Sequence, residues 1–202
     1  MAFTFFFRDL HTLDHMVNQV VPAVAGRSAI RIWNAGCAMG METYTMAILF
    51  AEKMGYFSFK NLRIDATDID EQDQFGPIVT SGLYPKSDLE RIPEKLFEKY
   101  FRSADKPDYF EISELLRSRI QFTKHNLLSL QPIGKDFSLV VCKNVLLHFT
   151  AAERGQVQRM YYNSLAPGGF LAMEQTQGLS DDLLPLFTRV VPDAQLYRKN
   201  ES

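Results

Sequence analysis

The chain has 202 residues, of which 24 are acidic and 22 basic, for a formal net charge of −2. That length suits one domain spanning 1–202, able to bury a sizeable core without disulfide or metal staples, and the near-balance of charge excludes the strong field that would hold nucleic acid or an anionic membrane. The two cysteines, Cys37 and Cys142, lie in apolar stretches with no partner spacing, which fits reduced thiols and a cytoplasmic protein, and no apolar run approaches the roughly 20 residues that span a bilayer.

In chain order, the aromatic run Phe3–Phe7 is cut short by Arg8 and Asp9 and has no cationic segment before it, so it does not read as a signal peptide. Spaced apolar residues (Leu13, Met16, Val17, Val20, Val21, Val24) predict a helix over 11–25, ending at Gly26 despite Pro22 in its last turns. A strand over Ile30–Ala35, a helix from about Glu42 to Met54 and a strand over Leu62–Thr67 follow. Gly76 and Pro77 predict a broken or shortened helix within Gln72–Ser81. From Tyr84 to Arg119 the pattern turns charged and aromatic, and its length predicts a small inserted subdomain or lid at about 84–119.

Strands are predicted at Ile120–Thr123 and, fully buried, at Phe137–Cys142; a helix at Ala151–Leu165; and, after a Pro167-Gly168-Gly169 turn, a strand at Phe170–Met173. A short helix near Asp182–Phe187 and closing strands at Thr188–Val191 and Ala194–Arg198 complete the chain. Alternating strands and helices imply a mostly parallel sheet covered on both faces.

Two linked features point to a nucleotide-type site. The run from Ile32 to Tyr44 is an apolar strand, a turn with Gly36 and Gly40 four apart, and a helix start carrying Glu42; glycines permit close backbone approach, and the helix presents free N–H groups. About thirty residues on, the second strand ends at Asp68-Ile69-Asp70, where a carboxylate is placed to accept hydrogen bonds from ribose hydroxyls.

The chain resembles the chemotaxis receptor methyltransferases, the CheR family. The likeness runs through Thr4-Phe5-Phe6-Phe7-Arg8-Asp9, Ile32-Trp33-Asn34-Ala35-Gly36-Cys37 with Glu42 and Tyr44, Thr67-Asp68-Ile69-Asp70, Gly82-Leu83-Tyr84, Asn126-Leu127-Leu128, and Cys142 through Phe149. Six blocks in the right order are far more specific than any one of them. The resemblance implies a class I S-adenosylmethionine-dependent methyltransferase fold: Rossmann-like, with a mostly parallel seven-stranded sheet, one strand reversed near the end, helices on both faces and a small β-rich insertion. It implies S-adenosylmethionine as cofactor and S-adenosylhomocysteine as product, with Thr4, Arg8, Ala35, Gly36, Glu42, Asp68, Asn126, Leu127 and Asn144 at the cofactor. Arg8 and His148 would lie nearest the methyl group, as the catalytic pair. The implied reaction is methyl transfer to receptor glutamates in chemotaxis-type signalling, on a chemoreceptor-like coiled coil.

The residue types suit that chemistry. A glutamate carboxylate is already ionised near neutral pH, so transfer needs in-line alignment and exclusion of water rather than a general base, and arginine can hold a carboxylate through two parallel hydrogen bonds. No metal is required. His11 and His15 sit four apart and can share a helix face, but no cysteine or third ligand lies near them in sequence, so no metal site is expected; His125 reads as structural. Plainer readings stand beside the others: Arg8 paired with Asp9 on the surface, Glu42 as a first-turn carboxylate, Asn126 and Asn144 as turn formers, Asp68 and Asp70 as helix caps.

The sequence also departs from the family pattern. Tyrosine is usual at the position of His148, arginine at Lys143, Ser-Thr-Gly-Glu-Glu at Ala38–Glu42 and Gly-x-Ser-Glu at Glu174–Gln177. The family's helical N-terminal domain, which helps engage the receptor, is not represented before the Thr4 motif, marking a divergent or trimmed member. An alternative reading is therefore a weakened or inactive S-adenosylmethionine-binding signalling module; another is a methyltransferase with a different substrate.

Overall fold

The computed structural model describes residues 4–176 and 178–201; Phe3 of the aromatic run and Gln177 of the Glu174–Gln177 stretch lie outside them. Helix α1 (Leu10–Ala23) leads into strand β1 (Ile30–Ala35), helix α2 (Met41–Phe59), strand β2 (Leu62–Asp68) and the short helix α3 (Phe75–Ser81). Helix α1 buries Leu13, Met16, Val17 and Val20 on one face and stops one residue beyond Pro22; the Val24 N–H still reaches the Val20 carbonyl at 3.1 Å, so the proline removes one rung of the last turn without ending the ladder. Regular helix geometry breaks just after Met54, because Gly55 adopts φ 74° and ψ 165°, and a further turn then continues α2 to Phe59.

Gly76 and Pro77 do not interrupt α3. They occupy its first turn, where a proline's absent N–H would have had no helical partner. The N–H groups of Gln74, Phe75 and Gly76 all donate to the carboxylate of Asp70, at 2.8 to 3.1 Å.

The insertion folds as β3 (Leu83–Pro85), α4 (Glu94–Tyr100), β4 (Phe101–Ser103), β5 (Tyr109–Ile112) and α5 (Glu114–Arg117), with the strands in an antiparallel sheet of order β3-β5-β4. The N-terminal segment is locked beneath it. The fully buried Phe6 ring meets Tyr84 and Phe101 edge-on, with centroids 5.0 and 5.9 Å away. Tyr84 Oη donates to the Met39 carbonyl and Tyr44 Oη to the Val79 carbonyl, each at 2.7 Å, fixing the insertion and α3 to the glycine turn. Burial pushes both phenols above their ordinary pKa, so they stay donors.

The remaining elements are β6 (Ile120–Lys124), β7 (Phe137–Cys142), α6 (Ala151–Ser164), β8 (Leu165–Met173), β9 (Phe187–Arg189) and β10 (Leu196–Lys199), with a 3-10 turn at Leu184–Leu186 in place of the expected short helix. The main sheet has the order β6-β2-β1-β7-β8-β10-β9, and among its described strands β10 alone runs opposite to the rest, antiparallel to both β8 and β9. Pro167-Gly168-Gly169 does not separate a helix from a strand. It is an irregularity inside β8, where the pairing with β7 passes from Phe137↔Leu165 to Leu139↔Phe170, and Gly168 takes φ 68°.

The two-residue period of the strands divides the core. Ile30, Ile32, Leu139, Val141, Phe170 and Ala172 face α1 and α2, whereas Trp33, Ala35, Val140, Cys142, Leu171 and Met173 face α6. Trp33 anchors the second layer, its Nε1 donating to Thr67 Oγ1 at 2.8 Å. Among the described residues, no helix is long and apolar enough to cross a membrane.

Candidate functional site

A two-lobed cleft opens at the carboxyl ends of β1, β2 and β7, where an open α/β sheet binds ligands. The polar lobe, about 450 Å³, is lined by Thr4, Arg8, Gly36, Cys37, Ala38, Glu42, Asp68, Lys143, Asn144, Val145, Leu147 and His148. A second, more apolar lobe of about 280 Å³ shares Gly36, Asp68, Val145 and His148 and continues along Ile69, His125, Asn126, Leu127, Leu128 and Phe149. Thr4, Arg8, Gly36, Glu42, Asp68, Asn126, Leu127, Asn144 and His148 thus converge on one cleft. Ala35 does not: it is fully buried, packed in the layer with Trp33 behind the cleft wall.

The glycine turn is shaped by close packing. Gly36 takes φ 79°, its N–H donates to the Thr67 carbonyl at 2.7 Å, and a Cβ there would meet Val145 Cγ2 at 2.1 Å. Gly36 therefore lets the loop after β7 close over the turn while its backbone edge still borders the cleft. Gly40, at φ 82°, precedes α2 and faces Val79 and Tyr84.

The two acids after β2, alike in sequence, have separate jobs. Asp70 is buried and its carboxylate is consumed by the start of α3; burial alone would raise its pKa, but the backbone donors hold it below the ordinary carboxylate value. Asp68 borders both lobes. Its Oδ2 accepts from Ala38 N at 2.8 Å and its Oδ1 from Asp70 N at 3.2 Å, using two of about four acceptor positions and leaving capacity for a diol.

On the opposite wall, Arg8 Nη2 donates to Asn144 Oδ1 at 3.1 Å, so the N-terminal segment reaches across to the loop after β7, where Asn144 holds φ 59°. Beneath them, Lys143 is buried. Its Nζ lies 3.1 Å from Asp9 Oδ2 and 3.3 Å from Glu42 Oε2, within ion-pairing range although neither contact has hydrogen-bond alignment. Glu42 Oε1 in turn accepts from Asn34 Nδ2 at 3.1 Å, and Asn34 Oδ1 accepts from Thr43 Oγ1 at 2.5 Å. Glu42 is more than a first-turn carboxylate, then: it is the acidic centre of a partly buried chain at the cleft wall.

Lys143 was legible only as a departure from the family pattern. Its position directly after the wholly buried β7 was the available signal, because a cation there must enter the sheet's ligand-binding end or pair internally. Asn126 caps the short turn Leu127–Ser129 through Leu128 N, at 2.9 Å, while also bordering the apolar lobe. His125 stacks edge-on against Trp33 and its Nε2 bonds the Gln131 carbonyl at 2.8 Å.

The sheet order, the reversed β10 and the cleft define a class I S-adenosylmethionine-dependent methyltransferase domain. Solved structures with this fold include a magnesium protoporphyrin IX methyltransferase from Synechocystis with bound SAM (TM-score 0.53, 14% identity, covering 95% of this chain and 79% of that one). Another is the N-methyltransferase NodS from Bradyrhizobium japonicum in complex with S-adenosyl-L-homocysteine (TM-score 0.50, 15% identity, covering 96% and 91%). Residues 2–187 match the family described as CheR methyltransferase, SAM binding domain, and the chain belongs to that family. It is 30% identical over 183 residues to a chemotaxis protein methyltransferase of Borreliella burgdorferi, covering 86% of this chain and 63% of that protein. It is 32% identical over 190 residues to chemotaxis protein methyltransferase 1 of Pseudomonas aeruginosa, covering 88% and 66%. The chain thus spans about two thirds or less of the length of these relatives.

S-adenosylmethionine is the cofactor of this domain, and the residues present suit it: an apolar lobe for a base, a carboxylate with spare acceptors at the junction, and a polar lobe with both signs of charge for an amino-acid end.

Proposed function

We propose that this chain is the catalytic domain of a cytoplasmic protein-glutamate O-methyltransferase of chemotaxis-type signalling, acting on a chemoreceptor-like coiled coil. The observation that supports the reading is the Arg8–Asn144 contact at 3.1 Å, with Arg8 lining the same polar lobe as His148. When bound, S-adenosylmethionine would supply a sulfonium methyl group, the S–C bond being exchanged for an O–C bond to the glutamate carboxylate with S-adenosylhomocysteine as the other product. Asp68 holds the sugar, Asn126 and Leu127 border the base, and the Glu42–Lys143 chain, with Thr4 and Asn144, shapes the amino-acid end. Arg8 orients the incoming carboxylate, and His148 donates a hydrogen bond from its ring near the transfer point. None of these residues abstracts a proton, because the glutamate enters already ionised.

A second reading, a cofactor-binding signalling module without turnover, draws support from Lys143: buried between Asp9 and Glu42, it has no charge to offer a substrate. Transfer of labelled methyl groups from S-adenosylmethionine to chemoreceptor fragments separates the two. Base-labile label on glutamate, lost in Arg8→Ala and increased in His148→Tyr, is the expected result. Calorimetric binding of S-adenosylhomocysteine without any transfer overturns the enzyme reading and leaves the module. Label that is stable to base on a small molecule points to another substrate.

A further inference from the structure

His11 and His15 lie one turn apart on α1, with their rings edge-to-face and centroids 4.4 Å apart. The reason for expecting no metal there was the lack of a third ligand, and the fold supplies one. Asp193, on the loop between β9 and β10, brings its Oδ2 to 2.7 Å from His11 Nε2 and 3.2 Å from His15 Nε2. The three donor atoms all lie within 4.8 Å of one another. The Asp193 carbonyl accepts from Gln175 Nε2 at 2.7 Å, which fixes the loop that carries the carboxylate.

We infer that His11, His15 and Asp193 form a surface site for a divalent transition metal, of the zinc or nickel type, that staples α1 to the loop before β10. Two imidazoles and a carboxylate suit borderline ions of this class, with a fourth position open to water. Tetrahedral bonds of about 2.0–2.2 Å put ligand atoms roughly 3.3 Å apart, so the His11–Asp193 contact opens by about half an ångström while the His15–Asp193 contact already fits. All three side chains are at least partly exposed, at 63%, 31% and 50%, and so can make this adjustment and be reached from solvent. Both Nε2 atoms already face one carboxylate oxygen, so a metal ion that displaces their protons needs only small side-chain adjustments to sit between the three donors. Cys37 and Cys142 are buried and do not compete. The staple would act close to the cleft, since α1 starts two residues after Arg8.

The test uses the chain without a polyhistidine tag, stripped with chelator and then titrated with zinc chloride by calorimetry and by thermal unfolding. The expected result is one zinc per chain and a raised unfolding midpoint that chelator reverses, because a ligand bound only by the folded state stabilises it. Both responses are lost in His15→Ala and in Asp193→Asn, whose metal-free chains still unfold cooperatively. Absence of binding, or binding and stabilisation retained in the His11→Ala/His15→Ala double variant, overturns the site and leaves a plain His–Asp–His hydrogen-bond cluster.

Discussion

The two walls of the cleft handle charge in opposite ways. On the β1–β2 wall the carboxylates are held by backbone N–H groups: Asp68 by Ala38 and Asp70, and Asp70 by Gln74, Phe75 and Gly76. On the β7–β8 wall buried charges face other charges. Lys143 sits between Asp9 and Glu42, and the buried Glu174 carboxylate lies within the field of the Lys143 charge. A backbone cradle is built once the turn folds, whereas a charge cluster is stable only with every member present. Lys143, His148 and Glu174, three of the departures from the family pattern, lie on the second wall. That is the wall where a substitution alters its neighbours.

The largest expected effect follows directly. Lys143→Met removes a buried cation and leaves the partly buried Glu42 without its partner, and should cost about 3 kcal/mol of stability, the lower end for a buried pair, read as a lower urea midpoint. Lys143→Met combined with Glu42→Gln should recover much of that loss, giving a large coupling energy in a double-mutant cycle. A single-variant loss below about 1 kcal/mol would erase the contrast between the walls, since it is the figure for an exposed pair.

On the first wall the expected effect is on ligand affinity. Asp68→Asn keeps one acceptor for Ala38 N but loses the charge proposed to grip the ribose, so S-adenosylhomocysteine should bind more weakly by about 1.5–3 kcal/mol, roughly ten- to a hundredfold. Calorimetry on the folded variant checks this, and an unchanged affinity removes Asp68 from the cofactor site.

Most of the scaffold was legible because it rests on local periodicity. Ile30–Ala35 and Phe137–Cys142 are apolar enough to be strands buried on both faces, and Gly36 and Gly40 mark a turn whose left-handed backbone they adopt. The start of α6 is fixed by a reciprocal cap, with Thr150 Oγ1 accepting from Glu153 N and the Glu153 carboxylate accepting from Thr150 N. The irregular part of β8 was not legible, because Pro167-Gly168-Gly169 carries turn chemistry and only pairing with β7 draws it into the sheet. Within the site, Asp68 and Asp70 could not be told apart by spacing. The local chain path, with Asp70 at φ 39°, sends one carboxylate to the cleft and the other to α3. Lys143 and Asp193 depend on partners 134 and 182 residues away in the chain, at Asp9 and His11; no local pattern encodes such contacts.

The cradle itself is tested by Asp70→Ala, which removes the cap from α3 and should cost about 0.5–2 kcal/mol. Its pH dependence has a definite sign. The folded carboxyl lies below its unfolded value, so the stabilisation is complete above the unfolded pKa, near about 4 for aspartate, and is lost as pH falls through the folded value. The gap between the parent chain and the variant should therefore narrow on acidification below about pH 4. A gap that is constant with pH would assign the cost to packing instead of to the charged cap.

Glu174 should behave in the reverse manner, with the smallest effect. Burial pushes its carboxyl up, opposed by backbone N–H groups of Glu174, Asn144 and Leu147 and by the Lys143 charge. The folded state therefore holds the proton more tightly than the unfolded chain does, and stability falls as pH rises from the unfolded value, near about 4.3, through the folded one. Glu174→Gln removes an ionisation that the β7–β8 wall opposes, so it should stabilise the chain at pH 7 by less than about 1 kcal/mol and change nothing below about pH 4. Urea midpoints at the two pH values decide it. A loss of stability at pH 7 would mean that the Lys143 charge needs Glu174 as a third counter-ion, and the second wall would then be a four-membered cluster extending from Asp9 to the end of β8.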